Sequence, residues 1–197
     1  MLKLNSISDF DPSQEWQLSF SAVLNSGDYG SNNLTNIAYF KGLDCGFKMS
    51  GDRTITLYFY YRDSNGTVKS VNTGIDFYTY GSEWLDCCFL LSYKKVDNVW
   101  KYFVEIHRVG HNTSIESEVV TKLEYSDIQE NSPTASTELL LGGISNRYMA
   151  GSKTYYTYML LDEIILRNKI DENYVFPIKN GTDSFDINIP TQVEHTA

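Results

Sequence analysis

Residues 54–71 constrain the fold more than any other part of the chain. Ile55, Leu57, Phe59 and Tyr61 alternate with Thr54, Thr56, Tyr58, Tyr60 and Arg62. Side chains on a strand point to alternate faces, and β-branched and aromatic residues suit a pleated, half-buried surface. The pattern stops at Asp63-Ser64-Asn65-Gly66 and resumes at Thr67-Val68. Asn-Gly supplies the positive φ angles of a tight turn, so these residues predict a β-hairpin.

A second hairpin follows. Residues 85–93 form an apolar run, Lys94-Lys95-Val96-Asp97-Asn98 reads as a polar connection, and residues 99–108 read as the return strand. Trp100, Tyr102, Val104 and Ile106 share one face of that strand; Lys101, Glu105 and His107 share the other. One dry face and one wet face are what an antiparallel sheet of a sandwich requires. Further strands are predicted over residues 16–24, 36–40, 46–49, 117–125, 138–141 and 155–167. Turn signals at Asn25-Ser26-Gly27-Asp28 and Gly42 separate the early ones. Capped helical periods are nearly absent, with one turn expected over residues 127–131. Short strands with regular turn signals predict an all-β, antiparallel two-sheet β-sandwich of the jelly-roll kind.

The chain has 197 residues, enough for one sandwich that buries about 70% of its unfolded surface without a metal or disulfide staple. Residues 1–170 are expected to form that domain. Residues 171–197 form an extension carrying Pro177 and Pro190. Its Phe185-Asp186-Ile187-Asn188-Ile189 alternates, so it is expected to add an edge strand or to be ordered by a partner. Phe185, Ile187 and Ile189 are the candidate interface residues, and residues 191–197 are expected to fray or to be ordered only by a partner.

Charge narrows the partners. The formal net charge is −9, and Lys94-Lys95 is the only adjacent basic pair, which disfavours nucleic acid and anionic membranes. No apolar stretch approaches the roughly 20 residues of a membrane helix. The first residues turn polar at once, so the expectation is cytoplasmic synthesis. The four Asn-x-Ser/Thr sequons at Asn33, Asn65, Asn112 and Asn180 are then chance matches. Cys45, Cys87 and Cys88 form no CxxC, and no His lies near them in sequence. They read as small buried hydrophobes, with Cys87 and Cys88 on opposite faces. No cofactor or metal is expected. Calcium wants six or more oxygens, and no spacing forces Asp28, Asp44 and Asn146 towards Asp162 and Glu163.

The order of elements resembles the concanavalin A-like lectin/glucanase superfamily, and within it the laminin G-like jelly-roll modules. The likeness rests on Trp16-Gln17-Leu18-Ser19-Phe20, on Gly46-Phe47 and on the strand ending at Asn65-Gly66. It continues in Gly81-Ser82-Glu83-Trp84, then Leu141-Gly142-Gly143 before Leu161-Asp162-Glu163-Ile164. It covers about residues 10–170. Leu85-Asp86 departs from the polar or His pair that often follows the Trp. The superfamily includes lectins, hydrolases and structural modules, so the resemblance implies the fold and leaves function to the site.

Chemistry-bearing constellations are sparse. Catalytic members of the superfamily commonly place Glu-x-Asp-x-x-Glu on one strand. The nearest run here, Glu124 to Glu130, puts Glu124 and Asp127 on opposite sides of a strand. Asp162 and Glu163 alternate too, and are candidate sugar-hydroxyl or calcium ligands or structural strand-start acids. Tyr156 and Tyr158 share a face near Tyr148, forming a candidate glycan platform, subunit interface or ordinary packing. His107, His111 and His195 have no nucleophile elbow to serve, and no phosphate loop is present. No catalytic residue is therefore expected. The expected function is a non-catalytic recognition or assembly module, of virion decoration or fibre type, with other protein subunits as partners. The alternatives are a carbohydrate-binding module and, more weakly, a glycoside hydrolase.

Overall fold

The computed structural model describes residues 2–4, 10–25, 35–49, 56–76, 84–109, 119–133, 138–141, 159–172 and 193–195. Twelve strands lie among them: β1 (Leu2–Leu4), β2 (Trp16–Asn25), β3 (Thr35–Lys41), β4 (Cys45–Met49), β5 (Thr56–Arg62), β6 (Val68–Asp76), β7 (Trp84–Val96), β8 (Val99–Val109), β9 (Val119–Tyr125), β10 (Glu138–Leu141), β11 (Met159–Arg167) and β12 (Val193–His195). They build a seven-stranded sheet, β12-β1-β10-β3-β4-β5-β6, and a five-stranded sheet, β11-β2-β7-β8-β9. All pairings are antiparallel. The fold is the expected two-sheet antiparallel β-sandwich.

Alternation explains how the sheets close. In the five-stranded sheet Phe20, Phe89 and Ile106 are aligned by register, as are Leu18, Leu91 and Val104, and all are buried. They meet Phe40, Phe47 and Phe59 of the other sheet. The Phe47 ring packs tilted at 4.9 Å from Phe89, Trp16 tilted at 5.2 Å from Phe40, and Phe59 edge-on at 5.9 Å from Tyr102. Each such ring, fully removed from water, contributes about 1.5–3 kcal/mol before entropy is counted. The intervening residues of β8, Lys101, Phe103, Glu105 and His107, stay partly exposed, as the periodicity predicts.

The turns differ from expectation in kind. At β5–β6, Gly66 N–H donates to Asp63 O at 2.9 Å and only Gly66 has positive φ (77°). That is a type I turn closed by a left-handed glycine, not the turn with two positive φ angles that Asn-Gly suggests. Asp63 decides it: its Oδ1 accepts from Asn65 N–H at 3.0 Å and Thr67 N–H at 2.8 Å. The two-residue turn with both φ angles positive occurs at β7–β8 instead, on Asp97 (51°) and Asn98 (67°) between paired Val96 and Val99. The expected polar connection from Lys94 is strand nearly to its end, because Lys94, Lys95 and Val96 pair with Lys101, Trp100 and Val99 of β8.

Other expectations shift at the margins. Residues 127–131 form no helical turn; Ile128 is buried there and fixes the segment against the core. Leu2–Leu4, not anticipated as a strand, pairs between β10 and β12. Residues 193–195, expected to fray or to be ordered only by a partner, form β12 by pairing with β1 of the same chain. Phe185, Ile187 and Ile189, the expected edge strand and interface, lie outside the described residues. All three cysteines are buried, and Cys87 and Cys88 do point to opposite faces. Cys87 joins the core, while Cys88 Sγ lies 3.3 Å from Ser21 Oγ on the outer face.

Candidate functional site

The outer face of the five-stranded sheet carries a groove. β2 contributes Gln17, Ser19 and Ser21 as the alternates of Trp16, Leu18 and Phe20. Register aligns Gln17 with Ser92 and Phe103, and Ser19 with Leu90, Glu105 and Lys122. The segment after β11 folds back beside them. Asn168 anchors it, donating to Asp11 O at 2.7 Å and accepting from Asp11 N–H at 2.8 Å. Ile170, Asp171 and Glu172 thereby become one wall of a groove of about 280 Å³, whose floor includes Leu90, Ser92 and Phe103.

Polar groups in and under the groove are held. Gln17, only 2% exposed, accepts from the Arg167 guanidinium at 2.9 and 3.3 Å and donates to Ser92 Oγ at 3.3 Å. Lys94 Nζ pairs with Glu172 at 2.8 Å and sits 4.6 Å from the centre of the Phe103 ring. On the opposite side Glu105 takes Lys122 at 3.0 Å and His107 Nε2 at 2.6 Å. Burial raises the Glu105 pKa, but the His107 and Lys122 contacts outweigh it, leaving the carboxyl below its ordinary range. One group has no such support. Ser19, 1% exposed, is flanked in register by Leu90 and Ile165, and its hydroxyl has no hydrogen-bond partner.

A second polar cluster lies on the outer face of the seven-stranded sheet. Tyr39 O–H donates to Asp44 at 3.0 Å, Asp44 pairs with Arg62, and Tyr39 stands 5.9 Å from Tyr60 with Lys48 over the Tyr60 ring at 5.4 Å. Tyr60 itself is 6% exposed, so this cluster is packing more than open surface.

The residues singled out in the sequence fall elsewhere. Tyr148, Tyr156 and Tyr158 lie outside the described residues, as do Asp28 and Asn146. Asp162 and Glu163 lie in β11 where its register jumps: Leu161 pairs with Ala22 and Ile164 with Phe20. Two residues thus oppose the single Ser21, a β-bulge, and the simple alternation assumed for this acidic pair does not hold. Glu124 pairs with Lys101 at 2.6 Å, and Asp127 accepts from the Ser64 hydroxyl. Asp44 is committed to Tyr39 and Arg62. No group of three or more His, Cys, Asp or Glu residues is placed to hold a metal among the described residues.

Sequence reasoning missed Gln17, Ser92 and Phe103. The available signal was a polar alternate run in β2 and an aromatic on the wet face of β8. What it lacked was the folded-back segment of residues 168–172 that turns a flat face into a groove.

No family model matches the chain, and no curated protein matches it in sequence. Among solved structures, the receptor-binding domain of botulinum neurotoxin mosaic serotype C/D is similar at a TM-score of 0.36 and 13% identity, over 70% of this chain. The chain spans 33% of that structure's length.

Proposed function

We propose that this chain is a non-catalytic recognition and assembly module, laminin G-like in architecture, that serves as a structural component of a virion or a comparable extracellular assembly. The carrying observation is the groove on the outer face of the five-stranded sheet. Its floor lies on strands and its side chains are fixed by Arg167–Gln17, Lys94–Glu172 and Glu105–Lys122 contacts. Preorganised side chains on rigid strands lower the ordering cost of docking. Two of the acids considered for catalysis fit the same reading: Glu124 is ion-paired with Lys101, and Asp127 accepts from the Ser64 hydroxyl. Light scattering on the full chain is expected to show a stable oligomer. A monomer at every accessible concentration, unchanged by deletion of residues 171–197, would overturn the assembly reading.

A lectin-like reading has one observation in its favour. The Phe103 ring lies in the groove beside the Ser92 hydroxyl and the Glu105 carboxylate, an apolar surface with hydrogen-bonding groups next to it. It predicts binding on an array of neutral oligosaccharides that is lost in Phe103→Ala and Glu105→Gln. Binding unchanged in both variants, or no binding at all, would remove it.

A further inference from the structure

Among the described strands, β9 ends the five-stranded sheet. Its core-side residues are less sealed than their row-mates. Leu123 and Tyr125 pack only partly buried against the core, whereas Val104 and Tyr102, their partners on β8, are 1% exposed. Its outer alternates are Val120, 40% exposed, Lys122 and Glu124. An edge strand left open templates pairing with another strand, and only one pairing suits this one.

We propose that β9 pairs antiparallel with β9 of a second copy about a two-fold axis at Leu123. In that register Lys122 faces Glu124 of the other copy and Glu124 faces its Lys122, while Leu123 meets Leu123 and Tyr125 meets Thr121 on the core side. Directly opposed residues of an antiparallel pair share a face, so opposite charges meet outside and apolar groups meet inside. The neighbouring registers fail. Sliding by two residues in one direction sets Lys122 against Lys122; in the other direction it sets Glu124 against Glu124. Sliding by one residue sets Lys122 against Leu123 and mixes the faces. Main-chain hydrogen bonds supply the attraction, and the charges select the register. Lys122 and Glu124 already touch Glu105 and Lys101 at 3.0 and 2.6 Å, so the interface extends two existing ion pairs into a four-charge ladder on each side. The isologous contact yields a closed dimer.

This inference rests on the assembly reading and is tested apart from it. Sedimentation of the full chain is expected to show a dimer. Lys122→Glu and Glu124→Lys each set like charges across the axis and are expected to weaken self-association by about tenfold or more. Mixing the two variants restores opposite charges at every facing pair, so a heterodimer is expected to form at near wild-type affinity. Should either reversal unfold the chain by circular dichroism, the double variant Lys122→Gln/Glu124→Gln replaces it, with weakened dimerisation expected. A dimer indifferent to these changes, or a mixture that stays monomeric, overturns the β9 interface and leaves the assembly reading standing. A wild-type chain that is monomeric throughout removes both.

Discussion

Gly46 approaches Ala38 so closely that a Cβ at Gly46 would lie 2.1 Å from the Ala38 carbonyl oxygen. The β3–β4 pair is bulged just here, with register shifting between Asn36 and Ala38, and Gly46 holds a φ of 152°. The obstructing atom is backbone, so it cannot rotate away. Gly46→Ala is expected to destabilise the chain by at least about 2 kcal/mol. Gly66→Ala makes the useful contrast. A Cβ there has room, with Gln129 Oε1 nearest at 3.9 Å, and only the φ of 77° opposes it, so a loss of about 1 kcal/mol is expected. Urea unfolding of both variants checks the ranking; equal losses would contradict the steric argument.

Asp63 couples the first hairpin to pH. Its carboxylate accepts from Thr67 N–H, is hydrogen-bonded and ion-paired with Lys69 at 3.1 Å, and accepts from Asn65 N–H; together these hold its pKa below the ordinary Asp value against the opposing effect of burial. A carboxyl whose pKa is depressed by folding adds stability above its unfolded pKa. That stability is lost as pH falls through the folded value. Asp63→Asn is therefore expected to be less stable than wild type at neutral pH, with the gap narrowing below about pH 4. Thermal melts from neutral to acid pH measure the gap; one that stays constant would exclude the linkage.

Buried phenols and a thiol set the alkaline limit. Burial pushes Tyr39 up to about 12, helped by its hydrogen bond to Asp44, and pushes Tyr93 and Cys45 to about 12 as well. Groups whose pKa is raised by folding contribute fully below their unfolded values, and that contribution is lost as pH climbs through the folded ones. Stability is thus expected to decline above about pH 9 for Cys45 and pH 10 for the tyrosines, and to be gone near pH 12. Tyrosinate absorbance followed together with circular dichroism should show a late ionisation step coincident with unfolding. Complete ionisation in a folded chain would refute the assignment.

The β7–β8 turn offers a small stabilisation. Asn98 occupies a left-handed conformation at φ 67°, which glycine adopts without a Cβ penalty. Asn98→Gly is expected to change stability by about +0.5 kcal/mol, a gain trimmed by the greater freedom of glycine in the unfolded chain. Chemical denaturation reads it; a loss of similar size would mean that the Asn98 side chain holds the turn.

The candidate groove was legible only by halves. Gln17, Ser19 and Ser21 fall out of the alternation of β2, and Phe103 out of that of β8, so the face they share is readable from the chain. Their neighbours in space are not. Gln17 meets Ser92 across 75 positions and Arg167 across 150. The folded-back wall depends on Asn168 finding Asp11.

The sequence alone determined that this chain is built of strands, how the residues of β5 and β8 divide between two faces, and where hairpins lie. Those features are set by a period of two and by short turns, interactions that span a few residues. Tertiary structure alone decided the pairing of β1 with β10 and β12, the bulge that sets Asp162 and Glu163 against Ser21, and the type of turn at Asp63. It also decided the covering of the outer sheet face by residues 168–172. Each depends on which distant strand arrives alongside, and one pleated, half-apolar edge differs little from another in local preference. The closing of both sheets over a shared core makes that choice.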